Sequence, residues 1–331
     1  MTGPGAAANP APAVELAPLT RDLSRVEDAL RGAVRTADPF LADVAAHLIE
    51  AGGKRIRPTL ALCATYACSS ATSASNAAVT GAVAVELVHL GSLYHDDVID
   101  EAETRRGVPS VNARWSNIVA ILSGDFLLAR ASALAASLGA DVAGLLAETI
   151  GELCRGQVLE LQHLFDVTRS EGDYASAIEG KTASLFGTSC RIGGMVSGVD
   201  EPTLDALTRY GQHLGLCFQI VDDCLDLTAS DEALGKPAGQ DLVEGIYTLP
   251  VIYALGEQGE LAELLGGPLD TTRRDRAREL AAANGAVDAA LAVARDHATK
   301  AGEALAGADA LDSQVTSGLR RLVDGLVSRD R

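Results

Sequence analysis

The sequence predicts an all-α protein with one large domain, and two observations support this. Hydrophobic residues make up 47% of the 331 positions but aromatic residues only 4%, a composition that favours packed helices over sheets. Beyond residue 20, apolar residues recur at helical spacing between short breaks, and no Pro-, Ser- or Gly-rich linker divides the chain. We therefore predict a single helical domain over residues 21–331, preceded by a disordered tail over residues 1–20.

Apolar periodicity places about a dozen helices in this domain. They are predicted over residues 22–34, 40–51, 56–68, 75–100, 111–137, 141–164, 172–196, 203–229, 247–265, 271–284, 286–305 and 311–328. The uncharged run at 58–85 has a polar middle, SSATSASN, so it predicts two buried helices and a loop rather than a membrane span. No transmembrane segment is therefore predicted.

The fourth and eighth predicted helices are expected to lie at the centre of the bundle. The fourth is apolar on nearly all sides between residues 78 and 94, where Glu86 and His89 are its strongly polar members. The eighth has the same character over residues 210–221. Since a helix that is apolar all round is buried, these two helices form the core.

Charge and cysteine content exclude several classes of protein. Lys and Arg total 27 against 45 Asp and Glu, and the formal charge of −18 repels nucleic acid and anionic membrane surfaces. The six cysteines show no CxxC spacing, so neither a disulfide framework nor a zinc site is predicted, and we interpret them as small core residues in a reducing compartment. The N-terminus lacks the basic and apolar regions of a secretory signal, which indicates a cytoplasmic protein.

Both central helices end in an acidic pentad of the form DDxxD. The pentads comprise Asp96, Asp97 and Asp100 in the fourth helix, and Asp222, Asp223 and Asp226 in the eighth. The first and fifth positions of such a pentad lie one turn apart on one face of a helix, so each pentad presents a carboxylate pair. Like charges this close at the end of a buried helix repel unless a cation lies between them.

The pentads therefore predict a magnesium site. Mg²⁺ prefers oxygen ligands and is usually held by one or two carboxylates together with water and substrate phosphate oxygens. The alternative is that acidic residues at helix ends are merely solvated, and for a single short motif this is a fair interpretation. Two matching pentads, each in an apolar helix, favour the metal site.

Cationic residues near the pentads predict a polyanionic ligand. Lys54, Arg55 and Arg57 follow a glycine pair in GGKRIRP, where backbone N–H groups and side chains can converge on phosphate. Arg105 and Arg106 follow the first pentad directly and could bind phosphate bidentately. A surface basic turn is the alternative for the first set, and ion pairing with the nearby Glu101 and Glu103 is the alternative for the second. The further candidates are Lys181 with Thr182, and Lys236.

Six motifs follow one another along the chain: GGKRIRP, HDDVIDEAETRRG, the Lys181–Thr182 pair, FQIVDDCLDL, GK and TLP. In this order they resemble the motifs of the trans-isoprenyl (polyprenyl) diphosphate synthase family. The resemblance covers residues 52–250 and implies a helical bundle around a deep central cleft, usually in a homodimer. It implies head-to-tail joining of an allylic diphosphate to isopentenyl diphosphate, with both substrates as small-molecule partners and no nucleic acid. It also implies a transient membrane contact for release of the product.

The resemblance assigns a role to each candidate residue. The six pentad aspartates would hold about three Mg²⁺ ions that bridge to the allylic diphosphate. Arg105, Lys181 and Lys236 would bind the same diphosphate. The diphosphate of the second substrate would lie on Lys54, Arg57, His89 and Arg106, with Thr182 and Gln219 beside the reacting centre. One departure is visible, because Ile246 stands where family members commonly carry a lysine before TLP, so one diphosphate contact is absent or supplied elsewhere.

Product length is predicted from the face of the fourth helix below Asp96. A chain descending along that face, at roughly 5.4 Å per turn, would meet Ser92, Gly91 and Val88, none of them aromatic. In the family a bulky residue four or five positions upstream stops growth, so an open tunnel and a product of about C30 to C50, used for quinone side chains, are implied. The alternatives are that Gly91 only permits close helix packing, and that the product is farnesyl or geranylgeranyl diphosphate.

Two other functions use similar motifs. A class I terpene cyclase also ionises an isoprenyl diphosphate at an acidic pentad, but it needs no second diphosphate site such as Lys54, Arg57 and His89 would form. A non-catalytic subunit of a heteromer would be expected to have lost a pentad, whereas both are intact. Both alternatives are therefore less favoured than a synthase.

Overall fold

Helices form nearly all of the part of the chain that the computed structural model describes. That part comprises residues 16–69, 72–230, 238–256, 259–306, 308 and 310–328. In chain order, the α-helices are α1 (Ala17–Ala33), α2 (Pro39–Glu50), α3 (Ile56–Cys68), α4 (Asn76–Ile99), α5 (Val111–Arg114), α6 (Asn117–Ser137), α7 (Ala140–Gln162), α8 (Glu171–Ile178), α9 (Ser184–Met195), α10 (Glu201–Thr228), α11 (Gln240–Glu244), α12 (Leu249–Leu255), α13 (Gly259–Leu264), α14 (Thr271–Ala282), α15 (Ala286–Ala306) and α16 (Ser313–Val327). The all-α prediction is confirmed.

Several features differ from the predicted helices. The short helix α11 was not predicted, and the predicted helix over 247–265 is divided into α12 and α13. The first helix begins at Ala17, so residues 17–20, which were assigned to the tail, are helical. The predicted helix over 111–137 is broken into α5 and α6, because the Ser116 hydroxyl caps α6 by accepting from the Val119 N–H. One π-helical turn, Glu179–Ala183, separates α8 from α9.

A further difference is an unpredicted hairpin that follows the first pentad. Strands β1 (Thr104–Arg105) and β2 (Val108–Pro109) pair antiparallel. Arg106 and Gly107 form the two-residue turn with φ of 56° and 77°. Positive φ at both turn residues matches the right-handed twist of a tight hairpin, and glycine at the second position accommodates it.

The two acidic pentads lie at the C-terminal ends of α4 and α10, as predicted. The Ser75 hydroxyl caps the start of α4, and the Asp200 carboxylate caps the start of α10. Helix α4 packs on α3, α6 and α9, while α10 packs on α9 and α15. Helix α9 therefore lies between the two central helices and holds them in one bundle.

Glycines let the inner helices approach to backbone contact. A Cβ atom at Gly193 of α9 would collide with the Ala61 carbonyl of α3, and one at Gly211 of α10 would collide with the Phe186 carbonyl of α9. Such contacts leave no room for side chains, so these helices pack through small residues. This arrangement suits the low aromatic content of the chain.

Within the described part of the chain, two helices, α4 and α6, are long and apolar enough to cross a membrane by length and composition. Within the protein, 72% of the apolar window of α4 is buried but only 33% of that of α6. The apolar character of α4 is thus explained by the core. Helix α6 exposes Ile118, Ile121 and Leu122.

The six cysteines are all free thiols, and most are core residues as predicted. Cys154 is the exception, because it is exposed on the outer face of α7. The buried ones are Cys63, Cys190, Cys217 and Cys224.

Candidate active site

The first pentad occupies the last turn of α4 and divides its carboxylates between two environments. Asp97 is fully buried and accepts a hydrogen bond from Arg105 Nε at 2.6 Å, while its Oδ2 accepts none within the described residues. Asp96 is half-buried, and its carbonyl accepts from the Asp100 N–H at the helix end. Since Arg105 pairs with Asp97, the alternative that it pairs with Glu101 or Glu103 is not observed.

The pKa of Asp96 is raised to about 6, chiefly by burial; the neighbouring Asp100 carboxylate also raises it, while the charges of Lys181 and Arg105 oppose the shift. Two carboxylates at a helix C-terminus also face the negative end of the helix dipole. Both effects disfavour the ionised pair in the absence of a cation. A divalent ion at this position would stabilise the ionised form of both carboxylates.

The second pentad lies in the last two turns of α10. Asp222 is exposed, whereas Asp223 and Asp226 are each 4% exposed. Asp223 accepts from the Tyr174 hydroxyl at 2.5 Å and from Gln219 Nε2 at 2.8 Å, and Asp226 Oδ2 accepts from the Asp241 N–H at 3.3 Å. The second carboxylate of each pentad is therefore held by protein groups.

Glu160 and Lys181 connect the two pentads. Lys181 Nζ donates to Glu160 Oε2, and the negative charge of Glu160 acts on both Asp96 and Asp223. Burial lowers the pKa of Lys181, but Glu160 and Asp96 outweigh it and hold that pKa above its usual value. The pentads therefore face one common region with a charged lysine beside it.

The π-helical turn positions Lys181 and Thr182 at this region. A Cβ atom at Gly156 of α7 would collide with the Lys181 backbone nitrogen, so the turn lies directly against α7. Thr182 donates to Gln219 Oε1 at 2.8 Å, and Gln219 in turn donates to Asp223. The predicted pair Thr182 and Gln219 thus lies beside the second pentad.

A second set of predicted residues forms a separate cationic cluster. Burial lowers the pKa of His89 well below its usual value, and the positive charges of Arg57, Arg106, Arg55 and Arg105 lower it further. The Arg57 guanidinium lies 4.9 Å from the Phe186 ring centroid, and its buried Nε has no hydrogen-bond partner in the described residues. This cluster has spare donors for an anion.

Arg106 joins the hairpin to the loop that contains Lys54. Its Nη1 donates to the Leu48 carbonyl at 3.0 Å and also to the Gly52 carbonyl. Lys54 is half-buried on that loop. Arg55, in contrast, is buried against Glu27 at 2.5 Å and Glu86 at 3.0 Å, so the expectation that it would face phosphate is wrong.

The donors present suit Mg²⁺. Among the described residues, no three His, Cys, Asp or Glu side chains lie close enough together to hold a metal ion alone. Mg²⁺ does not require such a cluster, because it is usually held by one or two carboxylates plus water and phosphate oxygens. The buried Asp97 Oδ2, which accepts no hydrogen bond within the described residues, is one oxygen of this kind.

The positions proposed to set product length fall into three environments. A Cβ atom at Gly91 would lie 3.1 Å from the Gly124 carbonyl and 3.2 Å from the Leu128 side chain, so Gly91 permits close packing of α4 on α6. Val88 is fully buried. Ser92 is half-buried one turn below Asp96, on the same helix face. Of the three, Ser92 is the one on the Asp96 face that is not fully buried.

Lys236 lies outside the described residues. Ile246 is half-buried, and its N–H donates to the Asp241 carbonyl at 2.8 Å.

Sequence reasoning missed Glu160, Tyr174 and Asp241. One signal could have revealed Glu160, because it continues the buried stripe of α7 formed by Leu146, Thr149 and Gly156. An acidic residue on a buried helix face requires a partner. Tyr174 and Asp241 offered no comparable signal, since only the fold brings them to the second pentad.

The chain is similar to known proteins over most of its length. The model of the polyprenyl synthetase family matches residues 38–283. The chain is 42% identical to nonaprenyl diphosphate synthase of Mycobacterium tuberculosis over 262 residues, which is 78% of each protein. It is 43% identical to heptaprenyl diphosphate synthase component 2 of Geobacillus stearothermophilus over 241 residues, 72% of this chain and 74% of that one. The crystal structure of a polyprenyl synthase from Caulobacter crescentus, complexed with calcium and isoprenyl diphosphate, superposes with a TM-score of 0.90 at 34% identity, covering 99% of this chain and all of that one.

Proposed function

The chain belongs to the polyprenyl synthetase family, and from this premise we propose that it joins an allylic diphosphate to isopentenyl diphosphate head to tail, using Mg²⁺. One observation carries the proposal. Two acidic pentads share the Glu160–Lys181 pair, and a separate cationic cluster lies around His89. The region that the two pentads share suits a metal-bound diphosphate. The cationic cluster near His89 suits a second diphosphate that binds without metal.

These contacts suggest a role for each group of residues. The pentad aspartates would hold about three Mg²⁺ ions, which neutralise charge on the departing allylic diphosphate. Lys181 and Arg105 place positive charge beside the same group. Arg57, Arg106 and His89 bind the diphosphate of isopentenyl diphosphate, and Lys54 reaches it from the adjoining loop. The buried apolar walls of α4 and α9 exclude water from the carbocation.

A long product is favoured by the relatives, since the two compared proteins are named for nonaprenyl and heptaprenyl products. We propose a chain of about C30 to C50 that serves as a quinone side chain, made in the cytoplasm. The deciding experiment incubates the pure enzyme with isopentenyl diphosphate and C5, C10, C15 or C20 primers and separates the products by chromatography. Products ending at C15 or C20 with excess isopentenyl diphosphate would favour a short-chain synthase.

The same experiment separates the other candidate functions. A terpene cyclase would consume an allylic diphosphate alone and release a hydrocarbon. A non-catalytic subunit would yield no product as a pure chain and would gain activity only when a partner is added. A prenyltransferase yields elongated diphosphates from both substrates together.

Ser92→Phe is expected to shorten the product to C15 or C20 while leaving the first condensation intact. The new ring would fill the space one turn below Asp96, where the growing chain descends. The measurement is product chromatography at saturating isopentenyl diphosphate. Leu93→Phe is the control, because its side chain points about 100° away around the helix. An unchanged long product from Ser92→Phe would show that the tunnel does not follow this face.

Arg57→Ala is expected to raise KM for isopentenyl diphosphate by about 10-fold or more, the effect of losing a charge-assisted contact. KM for the allylic primer should change little, because Arg57 belongs to the cluster around His89. Steady-state kinetics with each substrate varied in turn provides the test. Arg31→Ala, an exposed change on α1, is the control. Equal increases in both KM values would mean that the two diphosphate sites are misassigned.

We further propose that the enzyme is a homodimer built on the exposed face of α6. Ile118, Ile121 and Leu122 are 71%, 43% and 61% exposed, and a cluster of large apolar side chains on a surface marks an association site. Leu122→Asp should therefore convert a species of twice the 34.1 kDa chain mass into a monomer, as measured by light scattering. Thr299→Asp on α15 should leave the mass unchanged. A wild-type chain that is already monomeric would refute this interface.

A further inference from the structure

Arg169 is a buried arginine that the proposed mechanism does not use. It lies in the loop before α8 and is 4% exposed. Its Nη1 donates to the Tyr247 carbonyl at 3.1 Å, and its guanidinium lies 5.6 Å from the Tyr174 ring centroid. Its Nε and Nη2 have no hydrogen-bond partner among the residues that the structure describes. Buried N–H donors on a charged group are costly when unsatisfied, so these two need an acceptor.

The surroundings of Arg169 are those of the second pentad. The Tyr174 ring on which it packs donates its hydroxyl to Asp223. Burial lowers the pKa of Arg169, and the charges of Glu160, Tyr174, Asp223 and Asp173 oppose this shift. The guanidinium therefore belongs to the same polar region as Lys181, Glu160 and Asp223.

Arg169 also lies next to the position of the missing lysine. Its acceptor, the Tyr247 carbonyl, is on the residue that follows Ile246. The segment before TLP therefore lacks a cation of its own at residue 246, but a guanidinium from another loop is bound to it.

On the premise of the proposed prenyltransferase function, we propose that Arg169 is a further diphosphate-binding residue. Its Nε and Nη2 donate to the metal-bound diphosphate at the second pentad, and its charge replaces the one that Ile246 does not supply. Nη1 remains on the Tyr247 carbonyl and orients the guanidinium plane. An arginine suits this position because its donors are held in a rigid fork, so one N–H can be anchored while others bind an anion.

The test compares Arg169→Met with the double variant Arg169→Met, Ile246→Lys. Arg130→Met is the matched control, since Arg130 also donates to one backbone carbonyl, that of Ala33, away from the pentads. Three quantities are measured for each protein: affinity for inorganic pyrophosphate in Mg²⁺ by calorimetry, KM for each substrate, and the melting temperature. Arg169→Lys is included because it keeps the charge and is the variant expected to fold if Arg169→Met does not.

Arg169→Met is expected to weaken pyrophosphate binding by about 10-fold and to raise KM for the allylic primer similarly, as expected for lost charge-assisted hydrogen bonds. KM for isopentenyl diphosphate should change less than about 2-fold, because that diphosphate lies on a different cluster. Arg169→Lys should weaken binding by roughly 3-fold, since one ammonium cannot serve both acceptors. The added Ile246→Lys should restore most of the lost affinity in the double variant.

Two results would overturn the assignment of Arg169. The first is wild-type pyrophosphate affinity in Arg169→Met or in Arg169→Lys. The second is a fall in melting temperature with equal losses for both substrates and no rescue by Ile246→Lys, which would indicate a purely structural role. A wild-type enzyme that binds pyrophosphate through Arg169 but forms no elongated product would instead contradict the proposed function and leave this assignment standing.

Discussion

Replacing Asp96 or Asp222 by alanine is expected to lower turnover by at least about 10³, the scale of a lost metal-centred electrostatic contribution. Each change removes one carboxylate of the pair that its pentad presents on one helix face. Asp96 is the half-buried member of its pentad and Asp222 is the exposed member of the other, whereas Asp97 is fully buried and bound by Arg105. The measurement is turnover with saturating substrates at several Mg²⁺ concentrations.

Asp28→Ala provides the control for this prediction, because Asp28 is an exposed aspartate on α1 that pairs with Arg31. It should retain wild-type turnover. Circular dichroism and melting temperature establish that the pentad variants are folded. If either folded variant kept more than about a tenth of wild-type turnover, the metal assignment would be wrong. Activity that persists after chelation of divalent ions would contradict it in the same way.

Lys181→Met is expected to lower turnover by about 10² to 10³, the cost of removing one preorganised donor from a site of developing negative charge. Lys181 is bound to Glu160 and acts electrostatically on Asp96, so it lies where charge accumulates on the departing diphosphate. The loss should appear mainly in kcat, because the charge on the leaving group increases in the transition state.

Lys300→Met is the matched control for Lys181→Met, since Lys300 pairs with Asp296 on the exposed face of α15. Its kinetics should equal those of the wild type. The substitution of Lys181 also leaves Glu160 buried without its partner, which lowers stability. The double variant Lys181→Met, Glu160→Gln also removes the unpaired buried charge of Glu160. Recovery of wild-type kcat in the double variant would show that Lys181 is needed only to neutralise Glu160.

The sequence alone was sufficient for the fold class, most helix positions and the two pentads. Apolar periodicity located α3 at its observed bounds, and it placed α4 and α10 to within one or two residues. These features depend on local patterns, because a helix is defined by residues three and four apart. The pentads were recognisable for the same reason, since each is contained in five consecutive positions.

Partners distant in sequence could only be found in the tertiary structure. Arg105 pairs with Asp97 rather than with its neighbours Glu101 and Glu103, because the hairpin turns it back toward the end of α4. Gly91 packs against Gly124 and Leu128 of α6, a contact that the periodicity of one helix cannot predict.

Charge balance was likewise decided by the fold. Sequence motifs marked Lys181 as a cation of the site and Ile246 as a missing one, but they did not reveal Glu160, Tyr174 or Arg169. Burial makes an unpaired charge costly, so the bundle selects partners by proximity in space and not by position in the chain. The chemistry of the site is therefore visible in short motifs, while the groups that hold those motifs in place come from wherever the helices bring them together.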